Sequence, residues 1–460
     1  MPNTTLPFIL SRASQRILEG SILAIVLFLP LIFNSFGEFP FEPTKASFLR
    51  WACGLLCAVI SIRFLMRDSA NGDIPIQPIV NPLAISILYY AGILIVATLT
   101  SLDTSQSWWG LNDKHGAFTT LCAVAFCLVI GRLEYRRQQI ERLIRAVLLA
   151  SFLVSAYGLI QLFDMDPLPW ITDSISPVHS TLGRSNFLGA YLAMVIPLTL
   201  YQLTREEHRL GIIVLLIIQV LCLFVTQART GWLAAVIGCT IYVGMLGYRW
   251  QRHRLIYIAF VVLGLGLVLL YGQDRIRVRE FSKLLHQADE VQINLSKSTK
   301  FSEENTSEVR EASIQRRLII WRSTFPLLSN RWLLGYGPEM FGTIFNLRYP
   351  SGSLYAGTDI IVDDPHNLIL EQVFSTGILG LLALLAVIVF FYRGLWQVLW
   401  NRSDQKDHTL AAAVLSGGTS FLIQAQFNPD VIVLTTYFWL FVALAGRFQE
   451  CIQNTKETIA

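Results

Sequence analysis

Apolar residues run along the chain in repeated blocks of about 17 to 22 residues with few charges, long enough to cross the hydrocarbon layer of a bilayer as helices. Short polar segments separate the blocks. The pattern therefore predicts an all-α polytopic membrane protein with about twelve transmembrane helices. The predicted spans are Ile17–Phe33, Ala46–Leu65, Pro82–Leu99, Ala117–Ile130, Ile140–Phe163, Phe187–Leu203, Leu210–Thr226, Thr230–Leu246, Leu255–Tyr271, Val373–Tyr392, Leu410–Ile423 and Val431–Ala445.

The composition agrees with this pattern. Of 460 residues, 53% are hydrophobic and 15% are charged, whereas a soluble domain carries roughly 25% charged residues. The net charge of +4 is too small to favour a nucleic-acid partner. The first apolar block is too long for the core of a cleavable signal peptide, so we interpret it as the first spanning helix. All seven cysteines fall in predicted spans or the C-terminal tail, so no disulfide framework is expected.

The distribution of basic residues predicts the orientation of the chain. The short loops on one side of the predicted membrane hold only Lys45, Lys114, Arg184 and Arg229, while the segments on the other side are much richer in Arg and Lys. Basic residues are retained on the cytoplasmic side of membrane proteins. We therefore predict that both termini are cytoplasmic and that the protein lies in a bacterial inner membrane.

The topology divides the chain into three predicted parts. Residues 1–271 hold helices 1 to 9, residues 272–365 form one large extracytoplasmic loop between helices 9 and 10, and residues 366–460 hold helices 10 to 12 and a cytoplasmic tail. Within the loop, Arg275–Glu290 and Glu311–Leu328 mix apolar and charged residues at helical spacing. We expect two short helices there.

Two arginines lie at the predicted outer membrane boundary. Arg184 precedes the sixth span, and Arg229 lies in the very short turn between the seventh and eighth spans. An arginine near hydrocarbon is costly and usually has a partner. Each therefore either contacts a lipid headgroup as a topology anchor or binds an anionic substrate, since the guanidinium group matches two phosphate oxygens.

His366 begins the tenth helix at the same boundary. A neutral imidazole there can accept a proton as a general base, and the alternative is a structural residue that donates to a nearby carbonyl or carboxylate. In the loop, Arg316 and Arg317 form a basic, aromatic stretch with Trp321, which by itself is typical of a solvated or interfacial face. We find no cluster with metal-ligand spacing and predict no metal.

Four ordered segments carry a family resemblance. They are Gly183-Arg184-Ser185-Asn186, Ala228-Arg229-Thr230-Gly231-Trp232, the run Arg317–Phe341, and His366-Asn367-Leu368-Ile369-Leu370 leading to Thr376-Gly377-Ile378-Leu379-Gly380. In order and in topological position this set resembles the O-antigen ligase and polymerase superfamily of bacterial envelope glycosyltransferases.

The resemblance implies an inverting, metal-independent transfer of a glycan from a polyprenyl pyrophosphate carrier to an acceptor hydroxyl on the outer face of the membrane. The implied partners are the lipid-linked donor, a lipid A-core or other envelope acceptor, and membrane lipids, with no cofactor. It assigns His366 as the catalytic base and Arg184 and Arg229 as donor-binding residues. Arg316 or Arg317 is implied as a further contribution from the loop.

Other functions remain open at this point. The superfamily also contains polysaccharide polymerases, whose acceptor is a second lipid-linked repeat, protein O-glycosyltransferases, and members described as bicarbonate transporters. A twelve-helix solute transporter is the alternative from another class. The sequence disfavours it because few ionisable residues lie at mid-membrane depth, where transporter coupling sites usually lie.

Overall fold

All regular structure in the described residues is helical. The computed structural model describes residues 5–37, 39–66, 81–111, 115–132, 137–163, 165–168, 178–205, 209–249, 305–350, 362–400 and 405–459. The predicted ninth span, Leu255–Tyr271, and the predicted loop helix Arg275–Glu290 lie outside these residues. The described α-helices are α1 (Thr5–Phe28), α2 (Glu42–Met66), α3 (Pro82–Leu99), α4 (Thr104–Trp109), α5 (Ala117–Arg132), α6 (Arg137–Leu162), α7 (Ser185–Leu203), α8 (Arg209–Val225), α9 (Arg229–Arg249), α10 (Asn305–Leu328), α11 (Phe341–Arg348), α12 (Leu368–Trp400), α13 (Gln405–Gln424) and α14 (Ile432–Ile459).

Six of the described helices are long and apolar enough to cross a membrane, namely α2, α3, α6, α7, α9 and α12. Helices α5, α8 and α14 contain shorter apolar stretches, and α1 and α13 coincide with two further predicted spans. The all-α class is thus confirmed for the described residues, and the count of twelve spans stays a prediction. Helix α10 contains the predicted loop helix Glu311–Leu328.

Helix α7 lies at the centre of the bundle, packed against α9 and α13. Small residues let the three backbones approach closely. A Cβ added to Gly231 of α9 would lie 2.8 Å from the carbonyl carbon of Gly189 in α7, and one added to Gly238 would lie 2.2 Å from Oγ of Ser420 in α13. Because lipid offers no hydrophobic drive for helix association, such close packing stabilises the bundle.

A buried polar chain joins α6, α7 and α8. Gln219 donates from its amide nitrogen to the Ser151 hydroxyl at 2.8 Å and accepts from the Thr199 hydroxyl at 2.9 Å. Each of these three side chains is fully buried. A hydrogen bond between membrane helices contributes about 0.6–2 kcal/mol. These two hydrogen bonds therefore fix the register of the three helices.

The segment after α10 docks onto a kink in α12. Gly377 interrupts the helix with φ 68° and ψ −169°. The Ile378 N–H next to it donates to the Trp332 carbonyl at 2.9 Å, and the Tyr336 N–H donates to the Phe374 carbonyl at 2.8 Å. The backbone groups freed by the kink are therefore paired with the docked segment, as a buried backbone requires. This docking holds α10 and α11 against the start of α12.

The segments predicted to lie outside the membrane meet at one end of the bundle. Lys45 donates from Nζ to the Thr181 carbonyl at 2.8 Å, which links the start of α2 to the turn before α7. Arg331 donates to the Thr100 carbonyl at 2.7 Å, which links the segment after α10 to the end of α3. The residues at the start of α2, the turn before α7 and α10 also line one cavity. These segments therefore share one end of the bundle, which holds the candidate site.

Candidate functional site

A cavity of about 490 Å³ opens among these segments. Its walls come from the residues before α2, the turn before α7, α10, the segment before α12 and the turn before α14. This volume is within the range of small-molecule sites, roughly 300–1,000 Å³. The basic lining residues are Arg184, Arg316, Arg317 and His366, and the large apolar ones include Phe39, Phe41, Phe187 and Ile320.

Arg184 occupies the N-cap position of α7. Its extended backbone, φ −145° and ψ 144°, ends the turn made by Gly183, and its side chain makes no capping hydrogen bond. Gly183 has φ 85° and lies against the Phe41 ring, so a side chain there would be both strained and obstructed. The exposed guanidinium lies 5.8 Å from the Phe187 ring centroid. The guanidinium and the positive end of the helix dipole both attract an anion, so this position favours anion binding.

Arg316 and Arg317 reach the same cavity from α10. Both are half-buried, and Ile320, one turn later, is buried in the small hydrophobic cluster under the helix. Burial lowers the pKa of the Arg317 guanidinium below its usual value. Guanidinium groups remain protonated in proteins, so this side chain carries a partly desolvated positive charge. Such a charge interacts more strongly with an anion than one in bulk water.

Acidic side chains line the cavity as well, namely Glu42, Asp363 and Asp364. Glu42 accepts the Ile432 N–H at 3.2 Å and lies near the buried Lys45, so its carboxylate already has local partners. Asp364 is turned toward His366. An anionic ligand is therefore expected to contact the arginine side of the cavity.

His366 adopts a left-handed backbone conformation, φ 56°. Its Nδ1 lies 2.9 Å from the Asp364 carbonyl oxygen and 3.3 Å from Asp364 Oδ1. A carbonyl oxygen only accepts, so this contact favours the tautomer in which Nδ1 carries the proton and Nε2 is the basic nitrogen. The side chain is 32% exposed. The ring is therefore held and still accessible from the cavity.

Contacts on both sides fix the segment that carries His366. Trp321 of α10 donates from Nε1 to the Pro365 carbonyl at 2.8 Å. The Asn367 side-chain oxygen accepts the Leu370 N–H at 3.0 Å and so caps the first turn of α12. The backbone on either side of His366 is thus attached to α10 and to α12.

The structure does not bring Arg229 into this cavity. Arg229 is the first residue of α9 and is exposed, and it is absent from the lining of the cavity. It is nevertheless near the site, because the next residue, Thr230, accepts a hydrogen bond from Asn428 at 3.0 Å. Pro429 follows Asn428 and lines the cavity. Four of the five predicted site residues therefore share one cavity, and Arg229 lies beside it.

A smaller cavity of about 100 Å³ adjoins the first and shares Asp364 with it. Glu371, Asp430 and His115 are among its lining residues. Burial raises the pKa of Asp430, partly offset by His115 and by hydrogen-bond donation from Thr435. Sequence reasoning missed Asp430. The sequence does show that Asp430 is an acidic residue in the short turn before the last apolar block. Arg229 was singled out because it occupies a similar position at the membrane boundary.

Comparison with known proteins bears on the same region. No curated protein matches the chain. A family model described as O-antigen ligase matches residues 212–385, a stretch that includes Arg229, Arg316, Arg317 and His366. Helices α9, α10 and α11 and the first half of α12 fall within it. The match covers less than half of the chain, and it supports the resemblance to the O-antigen ligase superfamily that the ordered motifs carry.

Proposed function

We propose that the protein is a glycosyltransferase of the O-antigen ligase type. It moves a glycan from a polyprenyl pyrophosphate carrier to a hydroxyl of lipid A-core or another envelope acceptor, on the outer face of the bacterial inner membrane. The observation that carries this proposal is the meeting of Arg184, Arg316, Arg317 and His366 in one cavity. These residues come from three segments that are far apart along the chain.

The chemistry follows from the groups present. The acceptor oxygen attacks the anomeric carbon while the bond from that carbon to the phosphate oxygen breaks. The acceptor proton passes to Nε2 of His366, and the polyprenyl pyrophosphate leaves with the bonding electron pair. A single displacement of this kind inverts the anomeric centre. Positioned guanidinium groups stabilise the charge that develops on the leaving pyrophosphate, so the transfer is proposed to need no metal.

The arginines have distinct proposed roles. Arg184, at the N-terminus of α7, binds one phosphate group, and the partly buried Arg317 with its neighbour Arg316 closes over the pyrophosphate from α10. Arg229 contacts the donor outside the cavity, which its exposed position beside Asn428 and Pro429 permits. The apolar side of the cavity, which includes Phe41 and Phe187, suits the polyprenyl chain near the pyrophosphate.

The proposal is tested with purified protein in lipid nanodiscs, a polyprenyl-pyrophosphate glycan and a panel of acceptors. His366→Ala is expected to lower the transfer rate by about 10²–10⁴, the usual contribution of a general base. Arg184→Ala is expected to raise the donor KM. The control is Arg348→Ala, because Arg348 is exposed at the end of α11 and does not line the cavity. Wild-type transfer by both His366→Ala and Arg184→Ala contradicts the proposal.

The same assay separates a ligase from a polymerase. A ligase consumes the lipid-linked glycan only when a separate acceptor is present. A polymerase lengthens the glycan when the lipid-linked donor is the only substrate. Glycan length with and without the acceptor therefore identifies the acceptor class. Uptake of a solute into proteoliposomes, without any glycan product and unaffected by loss of His366, supports the transporter instead.

A further inference from the structure

The Asp364 carboxylate contacts two different atoms of His366. Its Oδ1 accepts the His366 backbone N–H and lies 3.3 Å from the ring nitrogen Nδ1. The Asp364 backbone carbonyl accepts from Nδ1 at 2.9 Å. One residue thus holds both the backbone and the ring of the histidine. Asp364 also lines both cavities, so it lies where they meet.

The contact with the backbone explains an unusual conformation. His366 has φ 56°, a region that residues with a side chain seldom adopt. An Asp side chain that accepts the N–H two residues later forms a local turn, which offsets part of the cost of such a conformation. Pro365, between the two, is restricted in φ and has no N–H to compete for the carboxylate. The carboxylate of Asp364 is therefore the local cause of the His366 turn.

The conformation of this turn also determines which ring nitrogen of His366 is basic. It brings the Asp364 carbonyl to Nδ1, and an acceptor at that distance keeps the proton on Nδ1. Nε2, on the far side of the ring, is then the nitrogen with a free lone pair. If the turn relaxed, the ring could rotate and either nitrogen could carry the proton.

We infer that Asp364 is a positioning residue for His366, which it holds in the Nδ1–H tautomer with Nε2 available as the base. This role rests on the proposed function, because the base that Asp364 positions is the proposed one. The tautomer of His366 is nevertheless measurable whether or not transfer is observed. Asp363, the adjacent acid, is exposed and lines the same cavity, and it serves as the matched control.

The first experiment measures the tautomer directly. Full-length protein labelled with ¹⁵N-histidine is compared with Asp364→Ala, Asp364→Asn and Asp363→Ala by solid-state NMR, at a pH above the ordinary histidine range near 6.5. His366→Gln assigns the signal among the seven histidines. The wild type and Asp363→Ala are expected to show Nδ1–H. Asp364→Ala is expected to lose it, and Asp364→Asn to keep it because its amide oxygen still accepts the backbone N–H.

Two NMR results overturn the inference. One is an unchanged Nδ1–H tautomer in Asp364→Ala, and the other is an Nε2–H tautomer already present in the wild type. Neither result depends on transfer activity, so a failure of this inference is distinguishable from a failure of the proposed function.

The second experiment measures transfer kinetics. Asp364→Ala is expected to lower kcat by about tenfold or more, up to the roughly 10²–10⁴ that a general base contributes, while the donor KM changes less than twofold. Asp364→Asn is expected to restore most of kcat. A purely structural role would instead lower the amount of folded protein and leave kcat per folded molecule unchanged, and that result contradicts the positioning role.

Discussion

The indole of Trp321 donates a hydrogen bond to the carbonyl of Pro365, the residue immediately before His366. Trp321 follows Arg317 by one helical turn on α10, so the indole and the guanidinium lie on the same face of that helix. This single hydrogen bond therefore joins the helix that carries two proposed donor-binding arginines to the turn that carries the proposed base. Trp321 thus holds the two parts of the site together, although it has no proposed role in donor binding or in proton transfer.

Replacing Trp321 tests this connection. Trp321→Phe keeps an aromatic ring and removes the N–H donor, so we expect kcat to fall by several-fold while the protein still folds. The loss of one neutral hydrogen bond costs about 0.5–1.5 kcal/mol. Trp332→Phe is the control, because Trp332 is 60% exposed. Equal transfer rates in both variants would show that the indole hydrogen bond does not matter to the site.

The arginines of α10 offer a matched comparison of charge and position. Arg317→Gln is expected to raise the donor KM by about tenfold or more, since a hydrogen bond to a charged group contributes about 1.5–3 kcal/mol. Arg322→Gln removes the same charge from the same helix, at an exposed position that does not line the cavity. It is expected to change KM less than twofold. A similar rise in both variants would mean that the overall charge of the loop, and not contact with the donor, sets KM.

Arg184 and Arg229 are expected to differ in strength. Arg184 lines the cavity at a helix N-terminus, whereas Arg229 is exposed beside it. Arg184→Ala should therefore raise the donor KM more than Arg229→Ala, when both are measured by titration of the lipid-linked donor. A larger effect at Arg229 would place the pyrophosphate nearer to the start of α9 than the cavity implies.

The stability of the protein is expected to depend on the ionisation of Asp430. Burial raises the pKa of this carboxyl group above its ordinary value of 3.8, so the folded state holds the proton more tightly than the unfolded state. Its contribution to stability is complete below the ordinary pKa and is lost as the pH rises through the raised value. The thermal unfolding midpoint, measured in detergent, should therefore decline less with rising pH in Asp430→Asn than in the wild type. Parallel pH profiles would contradict this.

Gly377 is expected to be essential for docking of the segment after α10. A Cβ at this position would lie 2.2 Å from the Leu333 carbonyl oxygen, and φ is 68°. Gly377→Ala should lower the unfolding free energy by roughly 2 kcal/mol or more through overpacking and backbone strain. Gly92→Ala in α3 is the control, because no atom lies within 4 Å of the added Cβ. Thermal unfolding that is equally perturbed in both variants would show that the docking is not specific.

The apolar blocks by themselves located most of the long described helices. In a bilayer the backbone must satisfy its hydrogen bonds within each segment, so an apolar run of sufficient length has to be helical. Pro82–Leu99 was predicted and found with the same bounds. Helix α12 instead runs from Leu368 to Trp400, beyond both ends of the predicted span Val373–Tyr392. Glu371 and Gln372 at one end, and Arg393 and Gln397 at the other, interrupt the apolar run without ending the helix.

The sequence also singled out charged and titratable residues at the predicted membrane boundary as candidates, because a charge in an otherwise apolar region is costly enough to stand out. It could not decide which of them meet. That depended on the packing of α7 against α9, on the docking at Gly377 and on the Trp321 hydrogen bond, each of which joins residues distant along the chain. These contacts brought Arg184, Arg317 and His366 together. They left Arg229 beside the cavity, because lateral position within a bundle is set by packing between helices and not by the hydropathy of any one helix.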